Sequence, residues 1–218
     1  MLKCTVSLLQ SVEFAVSVRN NSKWGASSLE SVKKVLAKQF DDNEQLRGYR
    51  IRGEAFETNM YNLIDNHDTD VGSIPSEFRD AVFHIRQVGH TKQKWYKVYV
   101  KSSQGGVYFH GKSDITTTEP RPIIYDLKTC ESFSRSKYLD SIQHWVYMAG
   151  EPETSKFVYL VCESGPTAEQ GVEPVYYQLE IENNPESAGK IVLQRFEKFL
   201  ENIKTLGLTR EYKEYCES

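Results

Sequence analysis

Two runs of residues constrain this chain more than anything else in it. Phe109-His110-Gly111-Lys112-Ser113-Asp114 brings an acid to the end of one strand-like run, and Ile123-Ile124-Tyr125-Asp126-Leu127-Lys128-Thr129 forms a second. Side chains alternate faces along a strand, so Asp126 and Lys128 share one face, while Tyr125 and Leu127 point into whatever covers the other. By the same count His110, Lys112 and Asp114 share a face. Pairing of the two runs as a hairpin would bring Asp114, Asp126 and Lys128 to one point. Two carboxylates and an ammonium fit a divalent-cation site with a proton handler attached. Mg²⁺ takes hard oxygen ligands, commonly one or two carboxylates completed by water. The two aspartates and one backbone carbonyl, for which Leu127 is the candidate, would suffice. Lys128 would orient or deprotonate water, or neutralise developing charge, and its pKa should fall beside a cation. The competing reading is an exposed strand with an ordinary Asp–Lys pair, which the triplet alone does not exclude.

The length of 218 residues, 39 % of them hydrophobic, predicts one domain with a core of its own (residues 1–218). Residues 1–26 read as an N-terminal extension and 207–218 as a charged tail free to move. Ser7, Gln10, Ser11 and Glu13 interrupt the first apolar residues, so no signal peptide is expected, and no stretch approaches a transmembrane span. Cys4, Cys130, Cys162 and Cys216 lie far apart with no C-x-x-C pair, which predicts reduced thiols in a cytoplasmic protein. The net charge of −3 does not argue against a nucleic-acid partner. Acids gathered at a cation site are neutralised there, and phosphate contacts need only a local basic strip.

Along the chain, alternation at residues 12–18 predicts a strand, and Ser27 with Glu30 a capping box for a helix running to about residue 40, ended by Asp41-Asp42-Asn43. A helix over 47–65 carries Phe56, Met60, Leu63 and Ile64 as an apolar stripe. Glu57 lies on the stripe's flank and is by itself an ordinary helix acid; Glu54 competes with it, and Asp65 reads as surface. A short helix is expected over 76–83. Lys92, Lys94, Lys97 and Lys101 interleave with Trp95, Tyr96 and Tyr99 in a strand-like run. Such a strip fits a single-stranded nucleic acid, through phosphate charge and base stacking, and equally an edge strand guarded by lysines. Gln104-Gly105-Gly106 turns it back as a hairpin. A helix from Arg135 and Lys137 to Ala149 would set those two cations near a phosphate, with Leu139, Gln143 and Tyr147 on one face. Strands at 156–162 and 174–182 and a helix over 186–206 complete the pattern.

Taken together these residues resemble the PD-(D/E)xK nuclease superfamily, and within it the phage RecE-type and RecB-like exonucleases. Gly111-Lys112-Ser113-Asp114 matches the motif G-x-x-D, and Ile124-Tyr125-Asp126-Leu127-Lys128-Thr129 matches I-x-D-x-K-T. Gly53-Glu54-Ala55-Phe56-Glu57 matches the helix motif that places an acid at Glu57; Gln143 and Tyr147 match Q-x-x-x-Y; residues 157–163 with Pro166 match a strand of the RecE-like members. The resemblance implies an α/β fold in which a central mixed β-sheet flanked by helices forms a restriction-endonuclease-like core. It implies Mg²⁺, or Mn²⁺ in its place, held by Asp114, Asp126, the Leu127 carbonyl and Glu57. The catalytic set would be Glu57, Asp114, Asp126, Lys128 and Gln143. DNA would be met by Lys92, Lys94, Trp95, Lys112, Arg135, Lys137 and Tyr147. Some relatives carry an iron–sulfur cluster on clustered cysteines; this spacing lacks them, so none is expected. The implied activity is 5′→3′ exonuclease action on double- or single-stranded DNA in recombination or repair, with a single-strand annealing protein as partner and a phage as source. Alternatives are a restriction-like or structure-specific endonuclease, and a non-catalytic DNA-binding subunit. Oligomeric state stays open, and no membrane partner is expected.

Overall fold

The computed structural model describes residues 2–39, 44–67, 70–164 and 173–218. In chain order its elements are β1 (Leu2–Thr5), α1 (Val6–Val18), α2 (Gly25–Leu36), α3 (Glu44–Asp65), α4 (Arg79–Val88), β2 (His90–Lys92), β3 (Trp95–Ser102) and β4 (Gly105–Lys112). There follow β5 (Ile115–Thr117), β6 (Ile123–Cys130), α5 (Arg135–Leu139), α6 (Gln143–Gly150), β7 (Lys156–Glu163), β8 (Val175–Glu182), α7 (Pro185–Thr205) and α8 (Thr209–Glu217). The class is α/β, with mixed sheets flanked by helices. No helix among the described residues is long and apolar enough to cross a membrane.

The single central sheet expected from the sequence is divided in two. One sheet has the order β1-β4-β3, with β1 parallel and β3 antiparallel to β4. The other has the order β2-β5-β6-β7-β8, in which β6 and β7 run parallel and the remaining pairs antiparallel. The division has a local cause. β2 nearly continues into β3, and β4 into β5, but Gln93 takes a left-handed φ of 54° that turns the backbone out of a flat ribbon. The interrupted residues stay paired across the gap: Gln93 N donates to Asp114 O (2.8 Å), and Ser113 N to Lys94 O (3.0 Å). One long two-stranded ribbon therefore bends at its middle and gives a half to each sheet.

Alternation along β6 and β7 assigns each side chain to one of two apolar clusters. Ile124, Phe157, Tyr159 and Val161 enter the larger, which also takes in the buried faces of α1, α6, α7 and the three-stranded sheet. Tyr125, Leu127, Val158 and Leu160 enter the smaller, against Met60, Leu63 and Ile64 of α3 and Val82 and Ile85 of α4. A central strand of this kind is apolar on both faces. Asp126 and Lys128 break that rule.

Several local expectations are corrected. Residues 12–18 belong to helix α1, because Leu8, Leu9, Val12 and Ala15 make a helical stripe that is buried; Thr5 caps it, accepting from Leu8 N at 3.1 Å. The capping box at Ser27 does not form. The Asn21 side chain instead accepts from Lys23 N (2.9 Å) and Trp24 N (3.2 Å), and the helix starts two residues earlier, at Gly25. The expected helix over 135–149 is two, α5 and α6, and Leu139 is exposed rather than on a face with Gln143. The tail at 207–218 is not loose: α8 buries Tyr212 and Cys216, and Tyr212 donates to Lys3 O at 2.9 Å. Asp41-Asp42-Asn43 and Pro166 lie outside the described residues.

Candidate active site

The site lies at the seam between the sheets. The hairpin expected to bring Asp114 to Asp126 is made by the short β5, which pairs antiparallel with β6 in the register Ile115↔Tyr125, while β4 pairs with β3. The bend of the ribbon marks the boundary between the two pairings. Asp114 lies beside β6, where its Oδ2 accepts from Leu127 N at 2.6 Å. Asp126, only 1 % exposed, projects from the opposite face of β6 to Leu127. Gln143, the first residue of α6, donates from Nε2 to Asp126 Oδ1 at 2.8 Å. Lys128 Nζ stands 2.5 Å from Asp126 Oδ2, a buried oxygen otherwise without a hydrogen-bond partner. Ser141 Oγ accepts from Gln143 N at 3.1 Å and so fixes the start of the helix that carries Gln143.

Burial raises the pKa of both aspartates. The charge of Asp126 raises Asp114 further, against the pull of Lys128 and the Leu127 amide. For Lys128, burial acts downward, but the charges of Asp126 and Asp114 outweigh it and hold the ammonium above its ordinary pKa. Without a cation, then, this lysine is charged and paired. No group of three or more His, Cys, Asp or Glu side chains among the described residues is placed to hold a metal ion. The donor set is instead a buried carboxylate, Asp126, and a half-buried one, Asp114, that repel each other, and one or two carboxylates plus water is how Mg²⁺ is ordinarily held. A divalent cation between them would relieve the burial and the repulsion together. The residues present therefore fit such an ion.

Gly111 and Tyr147 explain each other. A Cβ built on Gly111 would sit 2.1 Å from Tyr147 Cε1, so the ring lies flat against the bare backbone. Its hydroxyl donates to Lys112 O (3.0 Å) and accepts from Lys112 N (3.2 Å). The helix bearing Gln143 is thus clamped to the strand that leads to Asp114. Tyr147 is only 4 % exposed, which removes it from the residues expected to touch DNA.

On the other side stands α3. Glu57 Oε1 accepts from Tyr61 Oη (2.7 Å) and from Gln93 Nε2 (2.5 Å), while Lys112 Nζ donates to Gln93 Oε1. Tyr61 Oη is also 3.3 Å from Asp114 O, which ties this chain of polar groups to the seam. Glu54, the competing helix acid, is exposed and pairs with Arg50. Tyr61 and Gln93 were missed by sequence reasoning. Tyr61 lies four residues after Glu57 on one helical face, a readable spacing. Nothing in the sequence marks Gln93, whose place depends on the bend.

The remaining expected residues fall into two groups. Lys92 is ion-paired with Asp65, and Lys94 with Glu151. Trp95, Arg135 and Lys137 are exposed. Lys137 and Thr129 border both a hollow of about 160 Å³ that includes Lys128 and Gln143, and an adjoining one of about 440 Å³ that includes Arg52 and Ser132.

No protein-family model matches the chain, and no curated protein sequence matches it. Among solved structures the chain is similar to the protein SSO0001, with a TM-score of 0.52 and 10 % identity over 91 % of this chain and 75 % of that one. A second, from Eubacterium rectale and provisionally named an exonuclease, gives a TM-score of 0.45 and 12 % identity over 93 % of this chain and 81 % of that one. The first likeness extends to the fold alone.

Proposed function

We propose that the chain is a metal-dependent nuclease that hydrolyses phosphodiester bonds in DNA. The observation that supports this above the others is the approach of Asp114 to the strand β6 that carries Asp126 and Lys128, with both oxygens of Asp126 engaged by Gln143 and Lys128. A simple exposed Asp–Lys pair would bury neither partner. Bound Mg²⁺ or Mn²⁺ would polarise the phosphate and supply a water of lowered pKa.

The residues contribute as follows. Asp126 and Asp114 would hold the cation, and Gln143, bonded to Asp126 Oδ1, fixes the orientation of that carboxylate. With a cation neutralising the two carboxylates, the charges that hold Lys128 protonated would be offset and its pKa would fall. Lys128 could then accept a proton from water at Nζ or, while still charged, offset the negative charge that grows on the phosphate. Glu57, engaged by Tyr61 and Gln93, would support the cation from the α3 side. Arg52 and Lys137 border the adjoining hollow and offer cations to neighbouring phosphates. The order of the motifs supports the PD-(D/E)xK core and favours an exonuclease of the RecE type.

The test is degradation of end-labelled linear DNA with Mg²⁺. Asp114→Asn and Lys128→Ala should each slow cleavage roughly 10²–10⁴-fold; full activity in either would defeat the assignment. Covalently closed circular DNA should survive, and its efficient nicking would make the enzyme an endonuclease.

A further inference from the structure

The face of the three-stranded sheet turned away from the core is a second surface with a chemistry of its own. Along β3 the residues Trp95, Lys97, Tyr99 and Lys101 alternate outward, with Trp95 71 % and Tyr99 54 % exposed. Their partners on β4 are, in register, Lys112, His110, Tyr108 and Gly106. Lys97 Nζ lies 4.2 Å from the Tyr108 ring centroid, and Lys112 Nζ 5.7 Å from that of Trp95. The rings of Tyr99 and Tyr108 stand 5.1 Å apart. Beside Tyr99, at the hairpin end, is an open hollow of about 460 Å³.

Charge separates this face from the rest of the molecule. β1, β3 and β4 carry Lys3, Lys97, Lys101 and Lys112 and not one acid, although acids outnumber lysine and arginine by 30 to 27 over the whole chain. Lysines that merely guard an edge against aggregation would be confined to the edge strand. Lys3, Lys97 and Lys101 do lie on the two edge strands, but the rings cross onto the interior strand β4, where Tyr108 meets both Tyr99 and Lys97, and edge protection gives no reason for rings there.

We infer that this face is a track for single-stranded DNA leading to the site at the seam. Phosphates answer the lysines, and unstacked bases answer the exposed rings; a duplex hides its base faces and could use only the charge. From Trp95 to Lys101 the strip runs about 20 Å, enough for a site of about 4 nucleotides at the small end of single-strand binding folds. Lys112, two residues before Asp114 in the chain, ends the strip and donates to Gln93. The inference rests on the nuclease reading and names the form of its substrate.

The test is fluorescence anisotropy of labelled dT20 with the full chain in EDTA, where only binding is read. Lys97→Glu and Tyr99→Ala should each weaken binding about tenfold, and Lys33→Glu, an exposed lysine on α2, should not. Lys97→Glu removes no buried packing, so it decides the matter if Tyr99→Ala unfolds. Unchanged affinity in Lys97→Glu overturns the track, as does equal affinity for a blunt duplex or tighter binding of rU20. Binding in EDTA would persist if hydrolysis were disproved, and cleavage with Mg²⁺ would persist if the track were.

Discussion

The two walls of the candidate site are built on different principles. On the α6 side, Gln143, Tyr147 and Gly111 are fixed by buried contacts: an amide on Asp126, a phenol spanning both backbone groups of Lys112, and a ring against a glycine. On the α3 side, Glu57, Tyr61, Gln93 and Lys112 form a half-buried polar relay whose members hold one another, with the Tyr61 ring packed against the smaller apolar cluster. The first wall is part of what makes the protein fold. The second could rearrange at small cost, which suits groups that must exchange a partner for water or a ligand.

That contrast can be broken by mutation. Gln143→Leu keeps the bulk but strips Asp126 Oδ1 of its donor, which should cost roughly 1–3 kcal/mol of stability and slow DNA cleavage about 10²-fold. Chemical denaturation and a cleavage time course would measure the two losses. Gly111→Ala forces the Tyr147 ring off the strand and should destabilise by roughly 2 kcal/mol, about 4–8 °C in melting temperature. A variant that melts with its parent would show the α6 wall is not locked.

His144 sharpens the same point by pH. It is buried beside Gln143, its Nδ1 is 3.2 Å from Tyr159 Oη, and burial, aided by Arg195, lowers its pKa to about 4. Its ordinary value is 6.5. The unfolded chain therefore binds the proton first on acidification. The stabilisation is complete above about pH 6.5 and is lost as pH falls toward 4, roughly 2 kcal/mol of it by about pH 4.5. His144→Gln should be less sensitive to acid by that amount; an identical acid profile would contradict the assignment. The smallest effect belongs to the α3 wall. Glu57→Gln should change stability by less than about 0.5 kcal/mol and reduce cleavage about tenfold. A melting temperature several degrees lower would show that this wall is structural after all.

How much of this was legible in the sequence follows from the range of each interaction. Period two along residues 123–129 correctly divided Asp126 and Lys128 from Tyr125 and Leu127, because strand alternation is a local property. The stripe of α3 and the long helix α7 were readable for the same reason. The strand expected at residues 12–18 failed because a short alternation cannot outweigh a helical stripe that begins earlier, at Leu8. Above all, the separation of β3 and β4 into a sheet of their own was not legible. It depends on one backbone angle at Gln93 and on pairing across the gap between two sheets, and neither leaves a mark on nearby residues.

The bent ribbon has one more consequence. Its two arms are a single pair of chains, so the lysine-and-tyrosine surface on one arm and the acid at the elbow cannot drift independently. A DNA strand gripped along the outer arm would be presented to the elbow by that shared backbone, as a ruler presents a fixed mark. Where the cut falls along a bound oligonucleotide would then be dictated by backbone geometry rather than by which bases happen to lie there.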